Sequence, residues 1–529
     1  MNGQAEAVPE TKVVSEARVV PDCYVDSVRL LEATRAMREA PGVDWAWALM
    51  ATPANLEVLF EEGVTEGLDG AAANDLVLAI KGTEEHLPAA LLRAWAVLFE
   101  ESGSAGAGAA AADARPADLG EALASAPEAN VAIVSVPGPY AALEAHKALS
   151  RGLDVLLFSD NVSLADEIDL KRRARSLGRL VMGPGAGTAV LAGVGLGFSN
   201  RVAPGPVGVV AAAGTGAQEV MTLLDRWGSG VSHVIGVGGR DLSAGVGGAM
   251  AEAAIEALDR HEGTELTLLV SKPPAAEVAE RLLGPDRSKP LVAALIGLDR
   301  PVDAAPGVTV CATLEEGAAA ALGALGSAEP DPVGSIDAEV ARLTTALDPS
   351  RRRMVGLFSG GTLAYEAMVI ASRHIGPVFS NTPLEPSWGL PGPEDAHVCL
   401  DLGEEEYTQG RPHPMIDPEA RVEFLRMQAA DPTVAVVLLD VVIGDGAHPD
   451  PGAVLAPVAA ELVAAGAAVV AYVLGTDRDP QGFERQRDVM RQAGCIVADT
   501  NARAALAAAA LVNRDPALVH HDLSAHLAT

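Results

Sequence analysis

Aromatic residues are scarce in this chain, at 3% of 529 residues. An interior without them must be packed by Ala, Val, Leu and Gly, and 49% of the chain is hydrophobic. Val/Leu strands covered by Ala-rich helices meet that description, and a disordered chain does not. Cysteine is also scarce. Cys23, Cys311, Cys399 and Cys495 lie far apart and form no C-x-x-C pair. That argues against a disulfide framework or a thiolate zinc site and for a reducing cytoplasm. Positive charge is the third shortage: 38 Lys and Arg against 71 Asp and Glu leave a net charge of −33. Such acidity argues against nucleic acid and anionic membranes as partners. It is otherwise a solubility or salt-tolerance trait and says little about substrate. An anion site in this chain has to be local, built from backbone N–H groups and a few Arg or Lys. The longer apolar runs are broken by Gly, Pro or charge, and the first twenty residues contain no apolar signal core. Walker A, a G-x-G-x-x-G after a first strand, a Ser/His/Asp triad and H-E-x-x-H are all missing.

What is present is a repeated alternation of short apolar strands and helices. At roughly 150 residues per domain the length predicts three or four domains. Residues 1–17 are expected to be disordered and 18–101 to form a small α/β domain, for which a ferredoxin-like arrangement is one fit. Its strands are RVVPDCYV, VDWAWALM and DLVLAIKG. Residues 102–127 have linker composition. Strands separated by helices of 10–15 residues over 128–203 imply βαβ units and a parallel, Rossmann-like sheet. The pattern restarts over 204–326, pauses in a second linker at 327–350, and restarts again over 351–529.

The last two segments carry a repeat. AGTGAQEV at 213–220 and GGTLAYEA at 360–367 align Gly214 with Gly361, Thr215 with Thr362, Ala217 with Ala364 and Glu219 with Glu366. Each copy follows an apolar strand and opens a helix, which predicts two related flavodoxin-like domains. A helix start leaves unpaired N–H groups and a partial positive charge, and Gly lets the backbone approach an anion. Gly214, Thr215, Gly216, Gly360, Gly361 and Thr362 are therefore candidates for phosphate binding; the competing explanation is tight strand-to-helix packing alone. Gly183, Pro184 and Gly185 follow a strand at the carboxyl end of the expected Rossmann-like sheet, where such sheets bind ligands. With Gly238 and Gly239 they form a candidate substrate site. In YTQGRPHPMIDP (407–418), Arg411 suits a carboxylate or phosphate, and His413 suits proton transfer. In LLDVVIGDGAHPDP (438–451), His448 is a second proton-transfer candidate, and Asp440 and Asp445 offer oxygen ligands for Mg²⁺.

Taken in order, VSVPGPY, VMGPGAG, VGVVAAAGTGAQEV and IGVGG resemble the α subunit of succinyl-CoA synthetase across about residues 128–325. The whole chain after residue 18 is more similar still to the FdrA family, through YVDSVRLL, TPANLEVL, NDLVLAIKG, GGTLAYEA, DLGEEEYTQGRPHPMIDP and LLDVVIGDGAHPDP. This resemblance makes 128–203 a CoA-binding-like domain, and 204–326 and 351–529 the two synthetase-like domains. Two features depart from the synthetase. Its phosphorylated histidine has no counterpart, because Leu298-Asp299-Arg300-Pro301 stands in that loop and no His occurs between His261 and His374. Its first glycine-rich CoA loop is also missing. The resemblance extends to oxamate carbamoyltransferase, which works with two further subunits and needs phosphate but neither CoA nor phosphohistidine. The expectation is thus a cytoplasmic subunit of a phosphate-dependent carbamoyl or acyl transferase complex, acting on a small ureido or acyl substrate. Phosphate would be a substrate, and the departures count against CoA. The alternatives are an acyl-CoA synthetase that forms a nucleoside diphosphate and a non-catalytic scaffold subunit of such a complex.

Overall fold

The computed structural model describes residues 13–25, 27–68, 70–99, 116, 118–298, 300–328, 330–333, 336–408 and 412–523. The chain divides into two compact units, Met1–Arg115 with Thr408–Pro412 and Pro116–Tyr407 with His413–Thr529.

The first unit alternates β1 (Val13–Val20), α1 (Ser27–Arg38), β2 (Val43–Met50), α2 (Pro53–Glu61), β3 (Leu76–Thr83) and α3 (Leu87–Phe99). Its sheet is antiparallel in the order β1-β3-β2. The period of two divides β3 between two cores. Leu76, Leu78 and Ile80 pack with residues of α1 and α3, while Val77 and Ala79 pack with Leu59 of α2. The first strand differs from expectation: it starts at Val13, inside the stretch expected to be disordered, and ends before Tyr24 and Val25. VVSEARVV lies at the sheet edge with partly exposed side chains, so it carries no clean apolar alternation.

The second unit opens with α4 (Leu119–Ser125), a short helix capped by Asp118, which accepts a bond from Glu121 N. It falls inside the stretch expected to be a linker; residues 102–115 and 117 of that stretch lie outside the described residues. Then come β4 (Val131–Val134), α5 (Gly138–Ser150), β5 (Asp154–Leu157), α6 (Leu164–Leu177) and β6 (Val181–Met182). They form a parallel three-stranded sheet. A hairpin, β7 (Thr188–Leu191) and β8 (Val194–Gly197), follows and joins the next sheet through Val190 against Val234. Residues 188–197, expected in the Rossmann-like segment, thus extend its neighbour.

That neighbour consists of β9 (Pro204–Ala211), α7 (Gly214–Arg226), β10 (Val231–Gly236), α8 (Ala249–Arg260), β11 (Leu266–Ser271), α9 (Ala276–Leu283), β12 (Leu291–Leu295), β13 (Val308–Cys311) and α10 (Leu314–Ala324). After α11 (Asp337–Ala346) the pattern repeats with β14 (Arg353–Phe358), α12 (Gly361–Ile375), β15 (Val378–Phe379), β16 (His397–Asp401) and α13 (Glu405–Thr408). It continues with α14 (Glu419–Ala429), β17 (Val434–Val442), α15 (Pro451–Ala464), β18 (Ala468–Leu474), α16 (Phe483–Gln492), β19 (Ile496–Ala498) and α17 (Asn501–Asn513).

The strand orders show the relationship. The parallel core of the first sheet is β13-β12-β11-β9-β10, and that of the second, with the two-residue edge strand β15 set aside, is β16-β14-β17-β18-β19. Numbered from their own first strands, both are the 2-1-3-4-5 order of a flavodoxin-like sheet. Their helices α7, α10, α12 and α17 share one apolar core. The two halves also exchange helix caps. Leu314 N, at the start of α10, donates to Glu366 Oε1 at 2.7 Å, and Asn501 N, at the start of α17, donates to Glu219 Oε1 at 3.4 Å. Each glutamate comes from the other half. The stretch expected as a second linker contains α11, whose Val340 joins the shared core with Ile336 and Leu347, the residues that flank the helix. Their helical spacing is hidden in a composition rich in Asp, Pro and Ser.

Candidate functional site

The two glycine-rich turns meet each other. Thr362 N donates to Thr215 Oγ1 at 3.3 Å. A Cβ on Gly360 would stand 2.7 Å from Thr215 Cγ2, and one on Gly216 would stand 3.0 Å from Thr362 Cγ2. Each threonine therefore packs where the other half has a glycine. Thr215 and Thr362 are buried, and neither helix has a side-chain cap. The packing explanation accounts for Thr215, Gly216, Gly360 and Thr362. What remains open is Gly214, which is exposed, and Gly361, which is half-exposed.

Gly361 faces two residues that the sequence reading did not assign. A Cβ there would overlap Asp401 Oδ2 and lie 3.6 Å from Lys272 Nζ. Lys272 follows β11 directly and Asp401 ends β16, so both sit at carboxyl ends of parallel strands, where open sheets bind ligands. Asp401 is buried, and that burial raises its pKa to about 7 against the opposing pull of Lys272. Its backbone is clamped by Asn381, which donates to Asp401 O at 2.9 Å and accepts from Asp401 N at 3.0 Å. The cluster combines a cation, an uncapped helix start and a carboxyl that holds a proton near neutrality. Those are the parts needed to hold a phosphoryl oxygen and move a proton beside it.

Asp440, expected as a metal ligand, supports the turn instead. It accepts from Ser359 N, Ser359 Oγ and Gly360 N, each at 2.9 Å. Buried Arg421 pairs with it at 3.0 Å and donates to Asp440 O and Leu357 O. Both carboxylate oxygens are thereby used. Asp445 pairs with Arg201 at 2.8 Å. Among the described residues no group of three His, Cys, Asp or Glu could hold a metal ion.

His413 lies at the edge of the cluster. A Cβ on Gly403 would meet His413 Nε2 at 2.7 Å, Ser359 O at 2.9 Å and Asp401 Oδ1 at 3.2 Å. His413 Nδ1 accepts from Met415 N at 3.2 Å, which leaves Nε2 to carry the hydrogen of the neutral ring. Burial pushes its pKa down to about 4. His413 is therefore placed as a neutral donor. His448 Nδ1 accepts from Asp450 N at 3.0 Å, and Asp450 caps α15; its ring helps form the helix entry. His448 N also donates to Met415 O, which ties the two histidine loops together. Arg411 lies outside the described residues.

The remaining glycines form a second junction. A Cβ on Gly238 would stand 2.8 Å from both Gly183 C and Pro184 O. Gly183, Gly185 and Gly238 all have positive φ. The structure thus brings Gly183–Gly185 and Gly238 together as backbone against backbone. Gly239 meets nothing closer than Ala212 O, at 3.9 Å.

Over most of its length the chain is similar to YahF of Escherichia coli (strain K12), with 38% identity over 506 residues, 93% of this chain and 97% of that protein. The chain belongs to the YahF family. Residues 357–511 match the model of the CoA-ligase family, and 13–116 match that of "AllF, heavy metal-associated domain". The succinate–CoA ligase [ADP-forming] subunit alpha 2 of Archaeoglobus fulgidus is 27% identical over 180 residues, 33% of this chain and 61% of that protein. A solved ATP citrate lyase from Methanothrix soehngenii, in complex with citrate and coenzyme A, aligns at 19% identity with a TM-score of 0.31, over 40% of this chain and 38% of that one. The expected likeness to the succinyl-CoA synthetase α subunit is therefore supported. The expectation against CoA finds no support: the family model matched over 357–511 is that of CoA-ligase, and the Archaeoglobus relative is a succinate–CoA ligase. Within the residues matched to the heavy-metal-associated model, this member of the YahF family has one cysteine, Cys23.

Proposed function

We propose that this chain is an acyl-CoA synthetase-like enzyme subunit that holds phosphate or an acyl phosphate against the start of α12. The observation that carries the reading is the placement of Lys272 Nζ and Asp401 at the bare backbone of Gly361. Lys272 and the helix N-terminus would neutralise the phosphoryl oxygens. Asp401, with its pKa near 7, would hold or release the proton that accompanies acyl transfer. His413 Nε2–H would donate to a carbonyl oxygen. CoA would supply the acceptor thiol. A cleft of about 720 Å³ starts beside Lys272 at Pro273 and runs along α12 past Tyr365 to Arg373, with Trp388 in its wall. It would take the bulk of the acyl group or its carrier.

The test is formation of acyl-CoA from small carboxylic acids by the purified chain with its co-expressed partner subunits. Consumption of nucleotide that depends on CoA, lost in Lys272→Ala, is expected. Failure of CoA both to bind in calorimetry and to stimulate nucleotide turnover would overturn the reading.

One observation favours a second reading, phosphate-dependent carbamoyl transfer of the oxamate carbamoyltransferase type. The synthetase's histidine loop is Leu298-Asp299-Arg300-Pro301 here, so no histidine can relay phosphate at that place. The relatives named above do not support this reading. Release of carbamoyl phosphate from oxalurate and phosphate, independent of CoA, would select it. Activity unchanged in Lys272→Ala and His413→Ala, with assembly intact, would instead make the chain a scaffold whose partner carries the chemistry.

A further inference from the structure

We propose a second oxyanion site at the opposite end of the C-terminal sheet, built from arginines and fitted to a phosphate group on a small molecule. The strands of that sheet are parallel, so the Gly361 turn lies at their carboxyl ends and the starts of β14 and β16 lie together at the other. Six residues of β14 separate the two ends, about 20 Å at ~3.3 Å per residue. A cavity of about 1030 Å³ opens there, lined by Arg351, Arg352, Arg353 and Arg514. Four arginines in one cavity stand out in a chain of net charge −33.

The partners of these arginines separate structural charge from available charge. Arg353 is neutralised by Asp431 at 2.6 Å. Arg351 donates to Val434 O at 2.7 Å, to Asp431 O at 3.5 Å and to Ala465 O, so backbone carbonyls hold it in place. Arg352 is exposed and donates only Nε, to Pro349 O at 3.3 Å, among the described contacts. Arg514 is the most informative. It ends α17 in the left-handed conformation, φ 59°, where glycine is the ordinary choice and a side chain costs about 1 kcal/mol. Its Nη2 donates to Asp348 O at 2.8 Å and Arg351 O at 2.9 Å. Its Nη1 is buried in the fold without a hydrogen-bond partner.

Of the acidic groups nearby, Asp431, Glu394 and Asp395 line the cavity itself. Asp348 accepts from Ser350 N and Ser350 Oγ, Asp431 is spent on Arg353, and Glu394 and Asp395 are exposed. A strained residue kept at a helix end, on a cavity whose wall it shares with exposed Arg352 and two further arginines, fits an oxyanion ligand. Guanidinium forks bind phosphate in a bidentate way, and the volume admits anything up to a nucleotide.

The test is calorimetry on the full chain, with inorganic phosphate and with ADP as separate probes. Lys272→Ala removes the cation near Gly361, so binding that remains reports the arginine cavity, whatever the fate of the acyl-phosphate reading. Two variants then probe it in that background. Arg514→Gly relieves the left-handed backbone, and Arg352→Gln changes an exposed side chain, so both should fold. At least tenfold weaker residual binding in each is expected. ADP binding far more tightly than phosphate would make the occupant a nucleotide; equal affinities would make it the phosphate group alone. Residual binding untouched by both variants, or no residual binding of either probe, would overturn the proposal.

Discussion

A Cβ on Gly361 would overlap Asp401 Oδ2 and crowd Lys272 Nζ. The glycine is therefore required by what faces it, and the three residues act as one unit. Lys272→Ala should weaken phosphate binding about 10–100-fold, the ~1.5–3 kcal/mol of a charge-assisted hydrogen bond, as read by calorimetry. Asp401 adds a pH dependence. Its pKa is raised to about 7 by burial. Below that value it is protonated and can stand beside a phosphate oxygen; above it, two anions repel. Affinity for phosphate should fall as pH rises through 7, and Asp401→Asn should flatten that limb. His413, held down to about 4, should add no inflection between pH 5 and 8. Glycine turns were legible in the sequence because they recur in a strand-turn-helix frame. Lys272 and Asp401 were not. A single charged residue at the end of an apolar strand has no period or spacing to mark it, and only the sheet brings these two together.

Helices α10 and α17 begin under glutamates from the opposite half, and Asn501 sits between them. Asn501 Nδ2 donates to Glu366 Oε2 at 2.7 Å and to Leu363 O at 3.0 Å, all in the buried core. Asn501→Ala would leave buried Glu366 Oε2 without its partner. It should cost about 1–3 kcal/mol, read as a lower urea midpoint with an unchanged slope. Part of this arrangement was readable beforehand. The aligned turns include Glu219 and Glu366, and the two 2-1-3-4-5 sheets follow the order expected of related flavodoxin-like segments. The cap exchange was not readable, because it pairs residues 52 and 282 positions apart. The elements displaced or missed, β1 shifted toward the N-terminus and α4 and α11 not foreseen, share a cause. Their polar or Pro-rich composition outweighed a weak period, while tertiary pairing or a shared core decided their structure.

For the whole molecule, two sources of pH dependence oppose one another. Glu219 and Glu366, fully buried across the junction of the two halves, have pKa values raised to about 7 and about 8, first by burial. Tyr472, Arg226, Glu315 and Asn501 are the polar groups that act on the pair. A carboxyl whose folded pKa exceeds its unfolded value of 4.5 binds more protons folded than unfolded between the two. Its stabilisation is complete below about 4.5 and is lost as pH rises through 7 and 8, at up to about 1.4 kcal/mol per pH unit for each group. His233, His374, His397 and His413 are depressed by burial and act the other way, but their gain is complete once pH passes the unfolded histidine value of 6.5. The window from about pH 6.5 to 8 therefore belongs to the carboxyls, and thermal stability should fall across it and level off above 8. Surface repulsion among the acidic residues is the competing cause, and it is screened by salt, whereas a buried pair is not. The fall should survive 0.5 M NaCl and shrink in Glu366→Gln, which mimics the protonated form. A fall abolished by salt and unchanged in Glu366→Gln would assign it to the surface instead.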